Sequence, residues 1–371
     1  MGLPIARSTV GPRRQGKNQK HLQGCWNFVF VLVMSQRCQA KSGAQFTTNP
    51  GRCRHEDPDL HTDYCFNRKL YRTIWADLQG DNMDLGKLGV WYFFDGIDTD
   101  QATAAAQRIE SMGYGTLWLP ETVGKDPLTT ASWFLANTKT LNLATGIVNI
   151  YNREPGVMLA AQRTLAEQSS GRFALAMGVS HKPLVEGVRG LEYGPPVATM
   201  RSYLEKMSAS IYNGPAPAET PITLIAALGP KMLELAREQT DGAHPYFTSP
   251  EHTAMARGIL GQGPKLCVEQ KVILETDAGK ARELARPVAK IYQRLPNYRN
   301  NWLRMGMTEQ DIDDLSDRFI DATFAWGNAD TIKARVQEHI DAGADHVCVQ
   351  PVNPNGQFGD LHWDCLEAIT G

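Results

Sequence analysis

Residues 169–181 read SSGRFALAMGVSH, and the fold turns on how this stretch is read. Ser169-Ser170-Gly171 is a small polar turn that ends the helical run before it. Residues 172–179 are then short and almost wholly apolar, the pattern of a strand buried on both faces in a parallel sheet. Gly178 stops the run, and its missing side chain lets another backbone or a ligand come close. Ser180 and His181 follow at once, at the carboxyl end of the strand, where parallel α/β folds place their chemistry. An ordinary core strand followed by a turn would give the same letters.

Working outward, strand and helix patterns alternate from Met83 onward. The other strands are predicted at 87–94 (KLGVWYFF), 115–120 (GTLWLP), 142–151 (NLATGIVNIY), 222–228 (ITLIAAL), 243–247, 265–275 and 346–352. Helix signals stand between them. Asp98 with Gln101 three residues on resembles a capping box, and Gly113 suits the end of the Ala-rich helix that follows. Pro155 opens a helix that runs to Gln168, and Gly229-Pro230 leads into another. A link rich in Gly and Pro spans 181–196, and an insertion at 295–326, largely helical, separates the seventh helix from the eighth strand. Eight alternations in about 290 residues predict a (β/α)8 TIM barrel, with a doubly wound open sheet as the alternative.

The chain has 371 residues, 42% hydrophobic and 21% charged, with net charge −2. That composition is soluble and globular, and the near-neutral balance gives no reason to expect nucleic acid as a partner. The charge is uneven, because residues 1–82 hold 12 Lys and Arg against 6 Asp and Glu. This stretch has no sustained period, and its single apolar run, 25–34 (CWNFVFVLVM), is too short to span a bilayer as a helix. The basic flank before that run and Cys38-Gln39-Ala40 after it only loosely imitate a signal peptide, and Ala6 argues against myristoylation. Residues 1–82 are therefore expected to be a disordered or non-native extension, with translation starting at Met83, and residues 83–371 to be the barrel domain. Cys25, Cys38, Cys53, Cys65, Cys267, Cys348 and Cys365 are spaced too widely for a zinc signature, and reduced thiols suit a cytoplasmic enzyme.

The carboxyl ends of the predicted strands carry Phe93, Glu121, Asn149, Ser180, His181, Leu228, Gly229, His244, Pro245, Tyr246 and Gln350. This is an aromatic, mildly polar mouth. It shows no glycosidase-like carboxylate pair, no Gly-x-Ser-x-Gly elbow, no metal cluster and no Gly-x-Gly-x-x-Gly after the first strand. Such a mouth suggests an organic cofactor that brings the reactivity. Gly229-Pro230-Lys231 opens a helix whose free N–H groups attract a phosphate, although a routine Gly-Pro helix start reads the same way.

At this point residues 87–371 resemble the luciferase-like monooxygenase superfamily, and within it the branch that uses the deazaflavin coenzyme F420. The matching words are 87–94, 113–121 (GYGTLWLPE), 144–148 (ATGIV), 170–180, 226–230 (AALGP) and 241–246 (DGAHPY). The resemblance implies a barrel with the cofactor ring in its mouth and a non-prolyl cis peptide at Gly146-Ile147 propping it. Gly178 and Val179 would line the ring. Leu228, Gly229 and Pro230, with His244, Pro245 and Tyr246, would meet the phosphate and tail. Many relatives have two glycines before the proline, and Leu228 replaces one here.

Deazaflavin has carbon in place of the reactive ring nitrogen, so the implied reaction is hydride transfer to or from a small organic substrate. Glu121 and His181 are the candidates for the accompanying proton, with a helix-capping carboxylate and an exposed loop histidine as their plainer roles. Trp91, Phe93 and Asn149 would shape the substrate pocket, and residues 297–302 (NYRNNW) would form a lid. An FMN-dependent monooxygenase on the same fold is one alternative, and a catalytically silent cofactor-binding protein another. No metal and no membrane partner are expected, and the expected assembly is a homodimer.

Overall fold

The computed structural model describes residues 83–354 and 361–371. The expected N-terminal extension, 1–82, lies outside the described residues. From Met83 the chain builds a closed parallel barrel with helices around it. The strands are β1 (Leu88–Trp91), β2 (Thr116–Leu119), β3 (Asn142–Thr145), β4 (Val148–Asn149), β5 (Phe173–Gly178), β6 (Thr223–Ile225), β7 (Gly242–Ala243), β8 (Lys265–Leu274), β9 (Phe324–Gly327) and β10 (His346–Pro351). The ring closes where β10 pairs with both β1 and β8. All recorded pairings are parallel, as successive βα units require.

Period-two alternation sorts each strand into an outer and an inner set. Val90, Leu117, Leu143, Leu175, Val268 and Val349 join the core shared with the helices. Trp91, Trp118, Ala144, Ala174, Ala176, Leu224, Cys267 and Cys348 fill the barrel interior. Trp118 of β2 stands in register with Trp91 of β1 and Ala144 of β3. The interior also holds a buried ion pair, with Lys271 Nζ 3.0 Å from Glu269 Oε2. Burial pushes the Glu269 carboxyl up and the Lys271 ammonium down to about 8, each opposed by the other's charge. The ammonium lies 3.7 Å from the centre of the Tyr246 ring and 4.0 Å from that of Phe247.

Helices α1 (Thr99–Ser111), α2 (Pro127–Asn137), α3 (Pro155–Gln168), α4 (Pro196–Ala209), α5 (Pro230–Gln239) and α6 (Pro250–Leu260) follow β1 to β7 in turn. Asp98 serves as the N-cap of α1. The Asp98 side chain accepts from Gln101 N–H, and prolines open α3 and α5. Between β8 and β10 come α7 (Ala278–Tyr292), α8 (Pro296–Arg304), α9 (Glu309–Asp314), α10 (Asp317–Thr323), β9 and α11 (Ala329–Asp341), and α12 (Trp363–Thr370) follows β10.

Three local readings change. The predicted third strand is two, β3 and β4, interrupted at a cis Gly146–Ile147 peptide, the position the resemblance gives. The insertion does not stay helical, because residues 324–327 pair with Lys271–Leu274 of β8. Four apolar residues straight after a helix carry no period of their own, so only the partner strand defines them. The Gly- and Pro-rich link contains a π-helical turn, Pro183–Val188.

Candidate active site

A cavity of about 620 Å³ opens over the carboxyl ends of β4 to β7. Its wall is built from short pieces of several units. Ile147 comes from the β3–β4 break, and Gly178, Val179 and His181 from the end of β5. Leu228, Gly229 and Pro230 come from the turn into α5, and His244 and Tyr246 from the segment after β7. These nine residues, expected from the sequence to serve a cofactor or the proton, thus converge. Pro196 and Val197 at the start of α4 and Asn297, Tyr298, Asn300 and Arg304 of α8 complete the wall.

Three glycines, two in the wall and one beside it, pack too closely to carry a side chain. A Cβ on Gly146 would stand 2.5 Å from Trp91 Nε1, and one on Gly178 2.7 Å from Ile147 Cδ1. At Gly229 it would stand 3.3 Å from Arg304 Nη2. Trp91 Nε1 donates to the Gly146 carbonyl at 2.7 Å, so the indole and the cis peptide fix one another. His252 Nε2 donates to the Leu228 carbonyl at 2.8 Å and holds the turn that starts α5. Ser180 takes a left-handed φ of +55° just before His181, which turns the chain out of β5.

His181 is half-buried, its ring 5.5 Å from Tyr298. Burial pulls its pKa below the ordinary value, partly opposed by a hydrogen bond with Asn297. Tyr246 donates to Gln350 Oε1 at 2.9 Å and shares a 2.8 Å contact with the Tyr292 hydroxyl. Beneath, His346 Nδ1 donates to the Gly86 carbonyl and its Nε2 accepts from Trp118. Trp118 in turn lies flat on His244, 4.4 Å and 12° apart.

The remaining expected residues do not line the cavity. Glu121 lies to one side, both carboxylate oxygens bound by Arg153 Nη1 at 2.8 and 2.9 Å. Asn149 is buried, and its N–H donates to Glu121 Oε2 at 2.6 Å. Trp91 stands one ring behind, 5.0 Å from Tyr246, and Phe93 meets Trp91 edge-on at 4.8 Å. Gly146 and Pro245 are neighbours of lining residues. Sequence reading missed Arg304, the cavity's guanidinium. Asn297, Asn300 and Arg304 fall at i, i+3 and i+7, one face of a helix, which was the available signal. Among the described residues, no group of three or more His, Cys, Asp or Glu side chains is placed to hold a metal ion. Nor is any described helix long and apolar enough to cross a membrane.

The family model for luciferase-like monooxygenase matches residues 83–346. The chain belongs to that family. Membership makes it an oxidoreductase of the luciferase-like type. A Mycobacterium tuberculosis protein, provisionally named a coenzyme F420-dependent oxidoreductase, is 27% identical over 253 residues, 57% of this chain and 72% of that protein. Among solved structures, the coenzyme F420-dependent tetrahydromethanopterin reductase of Methanopyrus kandleri matches with TM-score 0.56 and 17% identity, over 76% of this chain and 97% of that one. The oxygenating constituent of 3,6-diketocamphane monooxygenase from Pseudomonas putida, solved with FMN, gives TM-score 0.58 and 15% identity, over 76% and 96%. At such identities the structural likeness speaks for the fold alone.

Proposed function

We propose that this luciferase-like oxidoreductase uses coenzyme F420 and moves a hydride between it and a small organic substrate. The observation that carries the reading is the two-ended cavity. One end is walled by Ile147, Val179, Tyr246 and Tyr298, apolar and aromatic surface suited to a tricyclic ring. The other end has the N-terminus of α5 at Gly229–Pro230, with Lys231 and Arg304 beside it, suited to a phosphate. Gly178 and Gly229 border the same cavity, and a Cβ on either would push Ile147 or Arg304 out of place in the wall.

The ring, when bound, supplies the two-electron chemistry. The chain binds, orients and handles the proton. Ile147, Gly178 and Val179 flank the ring, and His252 steadies the Leu228 carbonyl at the turn toward the phosphate. His181 borders the cavity and is held neutral at pH 7 by burial, so its imidazole can take a proton from a substrate hydroxyl or return it. Glu121, the other proton candidate, is bound by Arg153 outside the lining and holds the Asn149 N–H, so the proton falls to His181 in this reading. Trp91, Phe93 and Asn149 support the substrate side from behind.

An FMN-dependent monooxygenase is the second reading, since the same fold also houses an enzyme solved with FMN. Titrating the protein with coenzyme F420 and with FMN, followed by ring absorbance, separates them. F420 binding with substrate-dependent change in ring absorbance supports the first reading. FMN binding with oxygen-dependent turnover and no F420 binding replaces it. Binding without hydride exchange for any substrate points to a silent binding protein.

A further inference from the structure

His244 is 1% exposed and belongs to the cavity wall. Its Nδ1 lies 2.9 Å from the Cys267 carbonyl. A carbonyl only accepts, so the ring proton sits on Nδ1 and Nε2 is a bare lone pair. That Nε2 is buried and has no hydrogen-bond partner. It faces the β3–β4 break, since a Cβ on Gly146 would stand 3.3 Å from it. Trp118 covers one face of the imidazole and prevents it from swinging away. His346, the histidine nearest it in the interior, has both ring nitrogens satisfied. A buried acceptor without a donor costs roughly 1–3 kcal/mol, so a donor absent from the chain itself is called for.

We infer that His244 Nε2 accepts a hydrogen bond from an N–H on the ring bound in the cavity, the imide N–H that flavins and deazaflavins share. The inference rests on the ring-binding reading above and gives His244 a different task from the tail. A phosphate at neutral pH presents lone pairs, and a lone pair on Nε2 repels them. The anion end therefore belongs to Gly229, Lys231 and Arg304, and the ring end to His244. Burial pushes His244 down to about 4, so the imidazole stays neutral and stays an acceptor at pH 7. His244 is a positioning residue: it fixes which edge of the ring enters first.

The test is a fluorescence titration of wild-type protein with coenzyme F420, with FMN, and with N3-methyl-FMN, whose imide N–H is replaced. If neither F420 nor FMN binds, the ring-binding reading itself falls and takes this inference with it. If FMN binds, the expected result is that N3-methyl-FMN binds about tenfold more weakly or worse; if F420 alone binds, His244→Ala is expected to weaken F420 about tenfold, and unchanged F420 affinity in that variant overturns the inference. His244→Ala is expected to weaken FMN by a similar factor and to accept N3-methyl-FMN at least as well as FMN, since it removes the acceptor and makes room for the methyl. His244→Gln, which restores an acceptor, should recover part of the FMN affinity. Equal affinity of wild type for FMN and N3-methyl-FMN, or equal loss of both in His244→Ala, overturns the inference while leaving ring binding intact. The wild-type comparison requires no variant to fold.

Discussion

Arg153 is 12% exposed and touches two carboxylates, Glu121 and Asp126. The Glu121 side chain is itself 8% exposed, and its Oε2 also accepts from the Asn149 N–H. Removing the guanidinium leaves a nearly buried carboxylate unpaired. Arg153→Met is expected to lose on the order of 2–3 kcal/mol of stability, read as a lower urea midpoint; an unchanged midpoint would show the pair to be dispensable. Gly146→Ala places a methyl against Trp91, which is buried and hydrogen-bonded in place. Overpacking of this kind costs about 1–3 kcal/mol, and a thermal melt measures it. His181 has a pKa below its ordinary 6.5, with burial as the main cause. As a proton acceptor it works unprotonated, so activity holds on lowering the pH through 6.5 and falls only further down. The pH–rate profile should place its acid limb below 6.5 and lose that limb in His181→Ala. A limb at or above 6.5 would assign it to another group.

At the scale of elements, α8 does the most for the site. Trp302 is fully buried, Tyr298 stacks on it and also borders the cavity, and Asn297, Asn300 and Arg304 line it beside Tyr298. One amphipathic helix thus anchors itself by aromatic packing and offers its polar side to the ligand. Arg304→Ala should weaken FMN about tenfold and leave riboflavin, which lacks the phosphate, unchanged. Equal losses for both ligands would move Arg304 off the phosphate. The location of α8 depends on what surrounds it. Phe247 packs against Trp302 at 5.2 Å and takes a left-handed φ of +60°, stabilised by its N–H bond to Glu269.

At the scale of the whole molecule, four buried histidines make stability depend on pH. Burial pushes His244, His252 and His346 down to about 4 and His339 to about 3. The unfolded chain binds protons at these sites near 6.5, before the folded one does. Their contribution is therefore complete above about 6.5 and is lost as pH falls from there toward the folded values. Each histidine should cost on the order of 1 kcal/mol per pH unit in that window. Melting temperatures taken from pH 7.5 down to 5 should drop steeply below 6.5, and a flat profile would show that these imidazoles titrate normally in the fold.

The alternation of apolar runs with capped helices determined the barrel from the sequence, because burying both faces of short parallel strands leaves few other arrangements. The same local signals marked Asp98, Pro155 and Pro230 as helix starts and residues 172–179 as an inner strand. Nine of the expected site residues meet in one cavity because strand ends converge on a single face. Tertiary structure alone decided the rest. Arg153 bound Glu121 outside the cavity lining, Trp118 of β2 met His244 after β7 as a stacked pair, and β8 made a strand of residues 324–327. Those outcomes depend on what lies across the barrel, tens to hundreds of residues away in the chain, and no local period carries that information.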